Sequence, residues 1–218
     1  MRSRDRSLVG LRPAKLYYSP GSCSIAPHIA LAEADVEYEL ILVDTKGGQQ
    51  RSPEFLAKNP LGRVPVLQTP LGLLTEVSAI LGYIASIAVA RRLIPEDAFD
   101  AAVMASFNSF LSSTVHVTFA HFMRPYRWAD DPTCKAELSR KAVAAYSEQF
   151  GMIENGKLRG PWVMGQQFTI ADPYLYVMTR WLARAGIAVE NFPRVNEHYS
   201  RMGARAAVQR SLVEEGFA

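Results

Sequence analysis

The stretch Lys15-Leu-Tyr-Tyr-Ser-Pro-Gly-Ser-Cys-Ser-Ile-Ala-Pro-His-Ile-Ala-Leu31 changes its periodicity halfway along, and that change decides the fold. Lys15 to Tyr18 is a short β-favouring run, closed by Ser19-Pro20-Gly21, a turn in which proline fixes φ and glycine tolerates a positive one. From Ser24 onward Ile25, Ile29 and Ala32, with Ala30 and Leu31, recur at helical spacing, so a helix begins at Cys23 or Ser24. Tyr38 to Val43 is the next strand, and the helix between the two strands requires a parallel crossover. Cys23 therefore lies on a strand-to-helix turn, beside the unpaired N–H groups of a helix N-terminus, where an anion is favoured.

Working outward, Gly47-Gly48 and the polar residues around it form a loop, and Pro53 to Ala57 a short helix. Val64-Pro65-Val66-Leu67 reads as a strand with its proline in the first residues, where a ladder N–H can be spared. A turn at Pro70-Leu71-Gly72 leads to Leu73-Leu74, close enough in sequence to form a hairpin, so the sheet is mixed. Glu76 to Val89 is amphipathic and completes a βαβαββα α/β domain over residues 14–90. Beyond Pro95 no strand alternation appears. The spacing stays helical through Asp97 to Tyr126, Cys134 to Ile153 and Ile170 to Gly186, which predicts an all-α helical bundle over residues 97–218. Within it, Phe168-Thr169-Ile170-Ala171-Asp172 has the form of a capping box, with Thr169 as cap and Asp172 returning to the cap's N–H.

Lys+Arg 24 against Asp+Glu 21 leaves a net charge of only +3 in 218 residues. Four of those arginines (Arg2, Arg4, Arg6 and Arg12) precede the first strand, so the body is near neutral. That excludes the clustered basic face that nucleic acid requires. The two cysteines, Cys23 and Cys134, belong to no CxxC pair or Cys/His cluster, which predicts no metal, no disulfide framework and a reducing, cytoplasmic location. The longest apolar run, Ala79 to Ala90, is interrupted by Gly82 and is far short of the about 20 residues a membrane helix needs, so no membrane partner is expected. Residues 1–13 lack the apolar core of a secretory signal and read as a flexible extension.

Four motifs stand in register: Tyr18-Ser-Pro-Gly-Ser-Cys23-Ser, Asn59-Pro-Leu-Gly-Arg-Val-Pro65-Val-Leu, Leu74-Thr-Glu76-Val-Ser-Ala-Ile80 and Phe168-Thr-Ile-Ala-Asp172. Together they resemble the glutathione transferase family over about residues 14–218. Cys23 after the first strand and His116 in the first helix of the second domain are most like the bacterial beta class. The resemblance implies a thioredoxin-like N-terminal domain that holds glutathione, with an all-helical C-terminal domain supplying the pocket for a small, mostly apolar electrophile. It also implies a cytoplasmic homodimer engaged in detoxification, with glutathione as co-substrate and no metal. Carried over by position, Cys23 and His116 stand near the glutathione sulfur, with His116 donating a hydrogen bond to it. The Val64 backbone, before a cis Pro65, pairs with the cysteinyl part. Glu76 and the N–H of Val77 hold the γ-glutamyl end, Lys46 the glycine carboxylate, and Ser22 or Tyr18 rivals Cys23 at the sulfur.

Two departures from the family pattern stand beside this: Val77 replaces a hydroxyl residue and Val117 a basic one. Taken without the family, Cys23 also reads as a small buried apolar residue, His116 as a core histidine and Lys46 as a solvated loop cation. Tyr126, Trp128 and Trp181 serve equally as pocket walls or core. The competing functions are a thiol transferase or peroxidase working covalently through Cys23, and a catalytically silent interaction protein on the same fold.

Overall fold

The computed structural model describes residues 14–217; the predicted N-terminal extension, residues 1–13, lies outside them. The described chain divides into two compact units. One runs to Glu96 and resumes at Gly203, and the other spans Asp97–Met202.

In the first unit, strands β1 (Ala14–Tyr18), β2 (Tyr38–Leu42), β3 (Val66–Thr69) and β4 (Gly72–Thr75) form one sheet in the order β2-β1-β3-β4. β1 pairs with β2 in parallel and with β3 antiparallel, and β3 pairs with β4 antiparallel, so both the crossover and the hairpin read from the sequence are present. Along β1, Ala14, Leu16 and Tyr18 are buried while Lys15 and Tyr17 are partly exposed, the period-2 pattern of a sheet with unequal faces. On the Tyr17 side, Val43, Phe55 and Val66 make a small core, with the Tyr17 ring meeting Phe55 edge-on at 6.3 Å. β3 begins two residues later than the sequence suggested, because Val64-Pro65 is a cis peptide just outside the strand.

Helix α1 (Ile25–Ala34) buries every residue from Ile25 to Leu31, His28 included. Such all-round burial needs neighbours on more than one side. They are α3 (Val77–Ile87) and, from the far end of the chain, α9 (Ala206–Glu214). The second unit therefore ends at Met202 and not at the predicted residue 218, because α9 packs on α1 and belongs with the sheet. A short helix, α2 (Pro53–Leu56), is capped by the Ser52 hydroxyl, which accepts from the Phe55 N–H.

The second unit is helical: α4 (Ala98–Phe110), α5 (His116–Met123), α6 (Pro132–Met152), α7 (Ala171–Arg180) and most of α8 (Pro193–Gly203). The predicted helix over 97–126 is interrupted by a wide π turn at Leu111–Val115 and ends at Met123. Buried Phe107, Leu111, Val115 and Phe119 are spaced by four. Steps of four overshoot an α-helical turn by roughly 40° each, and the wider turn removes that drift and keeps the stripe facing the core. Tyr146, Phe150 and Tyr174 are among the largest fully buried side chains of that core. At the start of α7 the predicted box is present: the Thr169 N–H donates to Asp172 Oδ2 at 2.7 Å, and the Thr169 hydroxyl accepts from the Ala171 N–H.

Candidate active site

The sheet register brings three of the sequence-predicted loops together. Tyr18 lies opposite Leu42, Tyr17 opposite Val66, and Val66 opposite Thr75. The chain therefore leaves β1 and β2, enters β3 and leaves β4 at one end of the sheet. Ser22-Cys23, Val64-Pro65 and Glu76-Val77 all follow or precede those ends directly, and the Asp44–Lys46 loop follows β2.

Cys23 opens the turn into α1, and its Sγ donates to the Val64 carbonyl at 3.5 Å, joining the first loop to the cis-proline loop. With 8% of its surface exposed, the thiol is close to closed off, nearer to the small buried residue than to a freely reactive nucleophile. Ser22 keeps partial exposure, and its hydroxyl lies 2.7 Å from that of Ser24 and accepts from the Ser24 N–H. Ser24 is wholly buried, accepts from the Ser19 N–H and donates to the Ser19 carbonyl, which fixes the loop's span. The Ser19 hydroxyl reaches Thr45 at 2.8 Å, tying this loop to the one carrying exposed Lys46, whose own N–H donates to Asp44 Oδ1. Burial pushes the Tyr18 phenol up, and Glu215 and Glu214 push it further, so Tyr18 stays a neutral hydroxyl.

Glu76 is exposed and stands just outside α3, at φ +67° and ψ +123°. This left-handed conformation costs a non-glycine residue roughly 1–3 kcal/mol, and such strain gathers at functional sites. Val77, the first residue of α3, is buried, so it offers backbone and no side chain.

The loop is also held from the chain's far end, which local sequence did not reveal. Glu215 is buried, and its Oε2 accepts from the Gly21 N–H at 3.2 Å while its Oε1 faces His28 Nδ1 at 3.0 Å. Glu214 lies 2.7 Å from His28 Nε2 and accepts from the Tyr38 hydroxyl at 2.8 Å. Burial opposes ionisation of Glu214, but the hydrogen bonds from His28 and Tyr38 outweigh it and hold its carboxyl below 4.5. Gly21 stands at φ +71°, which favours glycine, and a Cβ there would press on the Phe217 ring at 3.1 Å. A histidine inside an apolar helix and two adjacent glutamates were the available signals, and nothing local connected them.

His116 belongs to the second unit. It is partly exposed at the start of α5, its Nδ1 3.2 Å from the Tyr174 hydroxyl and its ring 5.1 Å from that of Trp181. Of the three aromatic residues left open between pocket and core, Trp181 is buried, whereas Tyr126 and Trp128 are exposed. Among the described residues, no group of three or more His, Cys, Asp or Glu side chains is arranged to hold a metal ion, and no helix is long and apolar enough to cross a membrane.

The family model for the glutathione S-transferase N-terminal domain matches residues 12–86, and that for the C-terminal domain matches residues 114–206. A glutathione S-transferase of Escherichia coli O157:H7 is 32% identical over 206 residues, covering 93% of this chain and 98% of the relative. Among solved structures, a glutathione transferase homologue from Sulfitobacter, determined with bound glutathione, is 37% identical with a TM-score of 0.90, over 94% of this chain and 99% of that one. The bacterial beta class enzyme of Sphingomonas chungbukensis is 33% identical with a TM-score of 0.83, over 94% of this chain and all (100%) of its own. Sheet order, loop convergence and sequence identity over nearly the full length agree, and the chain belongs to the glutathione S-transferase family.

Proposed function

We propose that this transferase binds glutathione at the end of the sheet where the Cys23, Val64 and Glu76 loops meet, and adds its thiolate to the carbon of a small, mostly apolar electrophile. The observation that carries this reading is that convergence, together with the Sγ–carbonyl contact joining Cys23 to Val64. An extended tripeptide laid against the Val64 backbone would add a short strand to the site, with specificity coming from groups at its two ends. In the proposed arrangement Glu76 and the Val77 N–H take the γ-glutamyl end and Lys46 the glycine carboxylate. The sulfur lies by Ser22 and Cys23, where the N-terminus of α1 supplies the partial positive charge that favours a thiolate. His116 is assigned as neutral hydrogen-bond donor to that sulfur, on the resemblance alone. In the test reaction with 1-chloro-2,4-dinitrobenzene, the thiolate forms a C–S bond and chloride departs with the C–Cl electron pair, so no oxidant or reductant is consumed.

Glutathione bound in the Sulfitobacter homologue supports the peptide ligand. The thiol-transferase and silent-module readings are not favoured, since the relatives named above are transferases. The near-neutral body argues against nucleic-acid binding, and the two free cysteines fit a reducing, cytoplasmic location; the homodimer is proposed on the family resemblance alone. Three measurements test the proposal. Calorimetric titration gives saturable glutathione binding, and its absence from a folded sample would sink the reading. Cys23→Ser retains conjugation of the chloronitroaromatic, whereas loss of conjugation together with loss of disulfide reduction would establish the covalent route. Sedimentation at micromolar concentration gives a dimer, and a single species at the 24.2 kDa of one chain would refute it.

A further inference from the structure

His116 starts α5 immediately after the π turn Leu111–Val115, beside the buried stripe rather than on it. Two side chains of the same unit contact its ring. The Tyr174 hydroxyl, on a residue only 1% exposed, lies 3.2 Å from Nδ1, and the Trp181 ring meets the imidazole edge-on at 5.1 Å and 64°. Trp181 is in turn stacked on Phe119 at 4.5 Å and 18°, so the surface against the imidazole is part of the core and does not move freely.

A neutral imidazole carries its proton on one nitrogen only, and the partner of one nitrogen decides what the other can do. A phenolic O–H pointed at Nδ1 makes that atom the acceptor and leaves the proton on Nε2. The opposite arrangement, Nδ1–H donating to the phenolic oxygen, would leave a lone pair on Nε2, which repels an anion.

We propose that Tyr174 is a positioning residue: its hydroxyl donates to Nδ1 and holds His116 as the Nε2–H tautomer, with the ring braced by Trp181. The catalytic consequence rests on the reading above that His116 donates to the glutathione sulfur, for which an N–H on the nitrogen away from Tyr174 is the group required. Tyr174 then acts on the reaction solely through His116, without touching substrate.

Long-range 1H–15N spectra of the labelled full-length chain test the assignment, and with four histidines the His116 signals can be identified by substitution. At neutral pH the wild type shows Nδ1 unprotonated and Nε2 protonated, and Tyr174→Phe shifts the population toward Nδ1–H. Replacing tyrosine by 3-fluorotyrosine, a stronger donor, moves the His116 Nδ1 resonance without truncating any side chain, which keeps the test open should Tyr174→Phe fold poorly. With 1-chloro-2,4-dinitrobenzene, kcat falls about three- to tenfold in Tyr174→Phe, the size of one neutral hydrogen bond. KM for glutathione stays within about twofold, and the Tyr174→Phe/His116→Ala pair is no slower than His116→Ala alone, as for two residues acting as a unit. A wild-type ring protonated on Nδ1, a tautomer ratio unchanged by Tyr174→Phe, or additive losses in the double variant would overturn the proposal. Full activity in His116→Ala with the tautomer result intact would remove the sulfur-donor role and leave the Tyr174 assignment standing.

Discussion

Between Pro27 and Ile29, His28 is wholly buried with a carboxylate oxygen against each ring nitrogen, Glu215 on one side and Glu214 on the other. Removing one member of such a buried charged network leaves the others unpaired, at a cost of about 3–5 kcal/mol. Glu215→Ala is accordingly expected to lower the urea midpoint substantially. It should also raise KM for glutathione, since the Gly21 N–H loses its acceptor. An unchanged midpoint would show that the cluster contributes nothing to stability. At the proposed site, Glu76→Ala is predicted to weaken glutathione about 10- to 100-fold by calorimetry, the range of one hydrogen bond to a charged group, while Lys46→Ala weakens it by no more than roughly fivefold, as an exposed ion pair does. Several of these residues were legible in sequence: Cys23 by its place between strand and helix, Glu76 by its place before one. Glu76's left-handed backbone was not, because a non-glycine residue gives no local sign of positive φ. Tyr174 was hidden too, since a tyrosine on a helix buried on every side reads as core.

At the level of the element, Asp172 shows how a legible motif carries partners that are not legible. Thr169 and Asp172 announce the start of α7 three residues apart, and their N–H to carboxylate bond is present. The same carboxylate accepts from the Val163 N–H at 2.8 Å and faces His198 Nε2 at 3.0 Å, partners that only the folded chain brings near. Thr169→Ala should therefore cost about 1 kcal/mol, as a lost cap does, and Asp172→Ala at least about 3 kcal/mol, because several buried donors are orphaned at once. Equal losses in chemical denaturation would contradict this. The π turn before His116 was in principle readable from the four-residue spacing of Phe107, Leu111, Val115 and Phe119. A helical template tolerates spacings of three and four alike, however, so the spacing by itself does not mark the turn.

For the molecule as a whole, the carboxyls of Glu214, Asp131 and Glu137 are depressed. Glu214 owes this to hydrogen bonds that outweigh burial, Asp131 chiefly to the Cys134 N–H, and Glu137, pulled down to about 2, chiefly to Arg140. Their contribution is complete above the ordinary values, 4.5 for the glutamates and 3.8 for Asp131, and is lost as pH falls through the folded values, and Asp131 and Glu137, being exposed, add little. The phenols of Tyr18, Tyr38, Tyr146 and Tyr176 are raised, first by burial, so their contribution holds below the ordinary value of 10.0 and fades above it. The urea midpoint should thus be flat near neutrality and fall below about pH 4.5 and above about pH 10. A midpoint still rising as pH drops from 4.5 would refute the acid limb. Both architectures, the mixed sheet and the helical bundle, were legible from periodicity. The ownership of residues 203–217 was not: α9 is an ordinary amphipathic helix, and the surface it covers is set by α1, far away in sequence.

That ownership matters while the polypeptide is being made. The sheet and α1 leave the ribosome early, but the helix that covers α1 follows only after the whole intervening unit, roughly a hundred residues later, a delay of about 5–20 s at ordinary elongation rates. Throughout that interval the apolar flank of α1 and the imidazole of His28 lack their cover. The nascent chain consequently has an early-born half that stays unfinished, and a stalled product ending before Gly203 should be recognised by chaperones that bind exposed apolar helix, where the completed chain is not.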